Sequence, residues 1–137
     1  MQTLTIFTDG GARGNPGPAA IGAVVYDTDS NELTSLSEYL GEATNNVAEY
    51  TAIVRILEHL ATVVDDTKAY QLTLKLDSQL AERQLNGAYK VKDQTLKGLF
   101  DQVKSLVDQY ASVEFTHVRR EENKVADKLV NEALDAQ

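Results

Sequence analysis

The chain has 137 residues, 42% of them hydrophobic, with no cysteine and a formal net charge of −8. That length is read as one domain spanning 1–137, large enough to bury a core without covalent staples, and the lack of cysteine excludes disulfides and thiolate metal sites. No apolar run approaches a membrane span and Met1–Leu4 carry no leader pattern, so a cytoplasmic protein without a membrane partner is expected.

The first element is a strand, with Leu4 and Ile6 alternating against Thr5 and Phe7. It is read as stopping at Asp9, where Gly10, Gly11, Gly14 and Gly17 open a turn that can approach a partner closely or take φ > 0. Asp9 is either a turn residue bonding its own backbone or a carboxylate delivered to a site. Residues 19–26, apolar on both faces, form an interior strand, and Asp27–Asn31 is a turn cluster. Residues 32–40 return antiparallel, closed by residues 41–44.

A helix from about Asn46 to Val63 presents Ile53, Ile56, Leu57 and Leu60 on one side. Glu49 falls in the middle of that apolar stripe. Either it is buried and requires a partner, or the first turn overhangs the sheet and Glu49 complements the helix dipole. Residues 70–76 form a fourth strand, again ending in an aspartate, Asp77, which is a helix N-cap or a second delivered carboxylate. A short helix to about residue 86 and a basic, aromatic connection over residues 87–93 follow. A helix over residues 94–110 has the core face Leu96, Leu99, Phe100, Val103, Leu106, Val107 and Tyr110. Residues 113–118 are a fifth strand, residues 119–122 a charged loop, and residues 123–136 a last helix with Asp127 at the border of its apolar face. The element string is βββαβααβα.

Strand-to-helix junctions thus bring Asp9, Glu49, Asp77 and Asp127. Four carboxylates can share one end of a sheet only if cations neutralise them, and an all-oxygen set selects Mg²⁺ or Mn²⁺ over zinc. Two such ions about 4 Å apart serve in-line displacement at a phosphate. The charge balance argues the other way, because polyanion binders present Lys and Arg. Its distribution softens that objection: residues 1–66 carry the whole −8, and the neutral remainder gathers Lys90, Lys92, Lys97, Lys104, Arg119, Arg120, Lys124 and Lys128, where a basic strip could lie.

Thr8-Asp9-Gly10-Gly11 with Arg13-Gly14-Asn15-Pro16-Gly17, then residues 44–49 (TNNVAE), 76–79 (LDSQ) and 117–127 (HVRREENKVAD), resemble the motifs of type 1 ribonuclease H, in order and across essentially the whole chain. The resemblance implies an α/β fold with a five-stranded mixed sheet, three antiparallel strands then two parallel, and helices on both faces. It implies an endonuclease acting on the RNA strand of RNA/DNA hybrids, with Asp9, Glu49, Asp77 and Asp127 holding two Mg²⁺ or Mn²⁺ ions and no small-molecule cofactor. His117, which alone reads as a surface residue, would lie on a mobile loop and assist proton transfer or product release. Gly10, Gly11, Asn15, Asn45 and Gln79 would meet the hybrid, Thr44 a DNA phosphate, and Lys90 and Lys92 the backbone. Neutral amides suit the wide, shallow minor groove of an A-like duplex, which needs little positive charge to read. The basic protrusion of many bacterial relatives is reduced here to Tyr89-Lys90-Val91-Lys92, as in the shorter bacterial and archaeal branch. A monomer is expected. The alternatives are a non-catalytic hybrid-binding module on the same fold, or a nuclease of broader range that includes RNA–DNA junctions or double-stranded RNA.

Overall fold

The computed structural model describes residues 1–137. Its centre is β1, Gln2–Ala12, flanked by β2, Gly17–Tyr26, on one side and β4, Tyr70–Leu76, on the other. Outside these lie β3, Glu32–Ala43, and β5, Ser112–His117, in the order β3-β2-β1-β4-β5. The first three strands pair antiparallel and the last two join in parallel, as the short connections of the first half and the helical crossovers of the second require.

The helices are α1, Asn45–Val63, α2, Gln79–Leu85, α3, Gln94–Val107, and α4, Lys124–Asp135; short 3₁₀ turns precede β4 and α4. Three of them start on side-chain caps from Thr44, Ser78 and Asp93. The main core lies between one sheet face and α1, α2 and α3, with Leu4, Ile6, Val25, Ile53, Ile56, Leu60, Leu72 and Leu74 buried. A smaller apolar cluster of Ala20, Val130, Ala133 and Leu134 lies under α4 on the opposite face. No helix is long and apolar enough to cross a membrane.

Two glycines set how closely these layers approach. A Cβ on Gly10 would stand 2.3 Å from the backbone carbon and oxygen of Ala48, so α1 packs onto β1 with nothing between. A Cβ on Gly22 would stand 2.3 Å from the carbonyl oxygen of Ala126, so α4 is seated on β2 in the same way. Both contacts involve helix residues immediately preceding an acid, Ala48 before Glu49 and Ala126 before Asp127. Close layer packing therefore brings the acids to the sheet.

One expectation is corrected. β1 does not stop at Asp9: its ladder with β2 continues through Asp9 opposite Gly22 to Ala12 opposite Ala19. Only the ladder with β4 ends there, at Thr8 opposite Leu76, after which β4 turns away. Asp9 is a residue within a strand that has lost one of its two neighbours, and the space vacated by β4 is the mouth of a cleft.

Candidate active site

The cleft, about 400 Å³ in volume, opens at this end of the sheet. Asp9, Glu49, Asp77 and Asp127 all line it, one from each of β1, α1, the β4–α2 junction and α4. Asp9, Glu49 and Asp77 each offer a carboxylate oxygen within 4.8 Å of the others. Asp127 lines the same cleft but is not part of this close trio.

Local structure explains each placement. Glu49 is 7% exposed, so its helix turn does not overhang the sheet. Its Oε1 accepts the Gly10 N–H at 3.2 Å, and the same N–H is 3.0 Å from Asp9 Oδ1. Asp77 is not the cap of α2: Ser78 is, accepting the Ala81 N–H at 3.2 Å. The adjacent serine satisfies the helix start and leaves the aspartate carboxylate free to face the cleft.

Burial raises the Asp9 carboxyl from its ordinary 3.8 to about 7, with the charge of Asp77 adding to the effect. Burial, and then the charges of Asp9 and Asp77, push Glu49 well above the usual carboxylate range. The two carboxyls share the Gly10 N–H and titrate as a pair, each favouring its neutral form in the absence of a cation. Glu49 Oε2 is buried with no hydrogen-bond partner. An orphaned carboxylate oxygen beside two further acids fits a hard divalent cation, whose ligands are all oxygen and whose charge offsets the repulsion.

The residues expected to contact a nucleic acid divide into groups. Gly10, Gly11 and Asn45 line the cleft, joined by Arg120 of the expected basic strip and by Arg13 and Asn131, which sequence reasoning did not single out for it. Asn15 and Thr44 line an adjoining hollow of about 690 Å³ with Asn46, Asp93 and Leu96. Gln79 opens α2, and Lys90 and Lys92 lie between α2 and α3; all three are exposed and outside the cleft lining. His117 is the last residue of β5, opposite Leu76 in the register, and is exposed outside the cleft lining; the expected loop begins only after it.

The basic strip is also smaller than the sequence suggested. Lys97 pairs with Asp101 one helical turn away, Arg119 lies 3.4 Å from both Glu121 and Glu122, and Lys128 lies 4.0 Å from Glu132. Lys104 donates to the Leu85 carbonyl at 2.8 Å. Lys90, Lys92, Arg120 and Lys124 are left without an acid partner. Arg13 ties the glycine-rich turn to the last turn of α4 through Asp135 at 2.6 Å, a pair separated too widely in sequence for any local pattern to signal it.

A sheet of this order, with acids from β1, β4 and two helices converging where β4 leaves β1, defines a protein of the ribonuclease H fold. A family model described as reverse transcriptase-like matches residues 7–133. An RNase H1 isolated from compost by a metagenomic approach has a structure that superimposes with a TM-score of 0.93 at 47% identity, covering 99% of this chain and 98% of its own. The same compost enzyme is also solved in complex with an RNA/DNA hybrid, with a TM-score of 0.88 and 46% identity over 97% of both chains. A ribonuclease HI of Halobacterium salinarum is 40% identical over 129 residues, 94% of this chain and 63% of its own length. A bifunctional protein of Mycobacterium tuberculosis is 41% identical over 134 residues, 97% of this chain but 36% of its own length. The chain therefore spans about a third of the length of the first curated relatives it matches. It belongs to the type 1 ribonuclease H family.

Proposed function

We propose that the chain is a metal-dependent endonuclease hydrolysing the RNA strand of RNA/DNA hybrids, with Asp9, Glu49, Asp77 and Asp127 as its metal-holding catalytic set. The observation that carries this reading is the convergence of three carboxylates within 4.8 Å, with Asp127 lining the same open cleft. Two Mg²⁺ or Mn²⁺ ions, when held there, supply charge stabilisation to the attacking and leaving oxygens of a phosphodiester. Asp9, on the central strand and within 4.8 Å of both Glu49 and Asp77 through their carboxylate oxygens, would be the acid shared by the ions. The Gly10 N–H holds one Glu49 oxygen, and the other, buried without a partner, would be the one offered to a cation. His117 at the end of β5 stands one strand from the segment that delivers Asp77 and is assigned the proton-handling role.

Recognition of the hybrid is supported by how the asparagines are tethered. Asn15 Oδ1 accepts the Asn45 N–H at 3.0 Å, and Asn45 Oδ1 accepts the Ala12 N–H at 2.8 Å. Each amide is anchored by its oxygen, and its NH₂ group makes no bond within the protein, so both present fixed donors to solvent. Groove acceptors and 2′-hydroxyls of an A-like duplex match such donors without demanding positive charge. Thr44 holds the entry of α1 through its bond from the Val47 N–H, placing its hydroxyl at the adjoining hollow where a DNA phosphate is assigned. Gln79, Lys90 and Lys92 extend this surface beyond the cleft.

The test presents labelled RNA/DNA hybrid, single-stranded RNA, double-stranded RNA and double-stranded DNA, each with Mg²⁺, Mn²⁺ or chelator. Internal cuts in the RNA of the hybrid alone, abolished by chelator, are expected. Tight binding of the hybrid without cleavage in either metal would instead identify a binding module, and cleavage persisting in chelator would remove the acids from the mechanism.

A further inference from the structure

Asn123 is 1% exposed and stands between three of the acid-bearing elements. Its Nδ2 donates to the carbonyl of Thr8, the residue before Asp9, at 2.8 Å and to Asp77 Oδ2 at 3.4 Å. Its backbone carbonyl accepts the Asp127 N–H at 3.1 Å, a bond of the first turn of α4. The orientation of the amide follows from its neighbours: both facing atoms are oxygens, so only the NH₂ end can meet them, and both of its protons are used. These contacts lie where the ladder between β1 and β4 ends, the place at which the cleft opens.

We propose that Asn123 is a positioning residue of the acid cluster. Pinned to β1, its carboxamide holds the Asp77 carboxylate while its backbone starts the helix that carries Asp127. The spacing of acids across β1, β4 and α4 is thereby set through one side chain. A clamp serving only to seat α4 would need the Thr8 bond alone; the second bond, to a carboxylate of the cluster, sets this residue apart. Partners that orient a metal ligand without touching the metal commonly change affinity or activity by about 10–100-fold when removed. The proposal rests on the reading of Asp9, Glu49, Asp77 and Asp127 as the metal-holding set.

The experiment compares the parent with Asn123→Ala, Asn123→Asp and Ala133→Gly. It measures Mn²⁺ affinity by calorimetry, kcat and KM on hybrid, and melting temperature. Asn123→Ala is expected to weaken Mn²⁺ binding at least about 10-fold and to lower kcat about 10–100-fold, with KM within about threefold. Asn123→Asp, which keeps the shape but removes the donor and adds a charge beside Asp77, is expected to lower kcat at least as far. Ala133→Gly loosens the same helix on its buried side away from the acids, and should keep parental affinity and kcat well below its melting point. Parental affinity and kcat in Asn123→Ala would overturn the proposal, as would losses matched by Ala133→Gly at equal destabilisation. If neither Asn123 variant folds, the unmodified protein decides. Its Asn123 carboxamide protons should shift with added Mg²⁺ at the same midpoint as the Asp77 carboxyl carbon, and resonances that stay still while Asp77 responds overturn it. A parent that binds Mn²⁺ in an Asn123-dependent way yet cleaves no hybrid would refute the proposed function and leave the positioning role standing.

Discussion

Replacing Asp9 with asparagine should destroy activity and stabilise the fold at alkaline pH. The Asp9 carboxyl is raised from 3.8 to about 7, first by burial and then by the Asp77 charge. A carboxyl whose folded pKa exceeds its unfolded one binds more protons in the native state between the two values. Its contribution is therefore fully retained below about pH 4, declines as pH rises towards 7, and is lost above that. Three pKa units correspond to about 4 kcal/mol at the plateau, an upper bound because Asp9 titrates together with Glu49. Asparagine keeps an oxygen for the Gly10 N–H and never ionises. In chelator at pH 8 the variant should melt above the parent by several degrees, at about 3–5 °C per kcal/mol for a chain of this size. At pH 5 the difference should be smaller, and it should vanish only below about pH 4, where Asp9 is protonated in the folded and unfolded chains alike. Adding Mg²⁺ at pH 8 should narrow the gap by raising the parent's melting temperature more, as a ligand of the folded state does. Calorimetric melting of both proteins across pH 5–8, with chelator or Mg²⁺, reads all of this. A variant that melts clearly below the parent at pH 8 in chelator would show that Asp9 serves the strand and not the cluster.

Gly22→Ala should lower stability by about 1–3 kcal/mol and reduce kcat. The new Cβ would stand 2.3 Å from the Ala126 carbonyl and must push α4, and Asp127 with it, away from β2. Thermal melting and hybrid cleavage test this, and a parental kcat would show that the placement of Asp127 tolerates the shift. Tyr50→Phe removes the 2.6 Å bond to Gln84, whose other end meets the Lys90 carbonyl at 3.5 Å. It should cost about 1–3 kcal/mol by leaving the buried Gln84 oxygen unpaired, and an unchanged denaturation midpoint would contradict that. With cleavage blocked by Asp9→Asn, hybrid affinity should show a shallow dependence on salt, and Lys90→Ala with Lys92→Ala should make the log–log slope shallower by about 1–2. Anisotropy titrations at several ionic strengths measure this, and a steep slope unmoved by the double substitution would place the phosphate contacts elsewhere.

The element order was legible in the sequence because each segment declares its period locally. Alternation over residues 3–8 and 70–76, helical spacing through Ile53, Ile56 and Leu60, and the turn chemistry of Asp27–Asn31 all act within a few residues, and the observed elements follow them. The acids were legible too, since each stands where a regular pattern breaks or a carboxylate interrupts an apolar stripe. What each acid does was open to two readings that only packing could separate. Glu49 is buried because glycine at position 10 lets α1 touch β1, and Asp77 faces the cleft because Ser78 takes over the cap. The course of β1 past Asp9 was hidden, because β2 continues beside it while β4 departs, and a strand's own sequence does not record when a neighbour leaves. The basic strip shrank for a related reason: whether a lysine is free depends on which acid or carbonyl the fold places beside it. Asn123 shows the limit most sharply. As a residue in a motif it is one polar letter before a helix, and its contacts with Thr8 and Asp77 span 115 and 46 positions. Periodicity specifies what each segment becomes; contacts across such separations exist only once the layers have closed, and they decide which carboxylates meet.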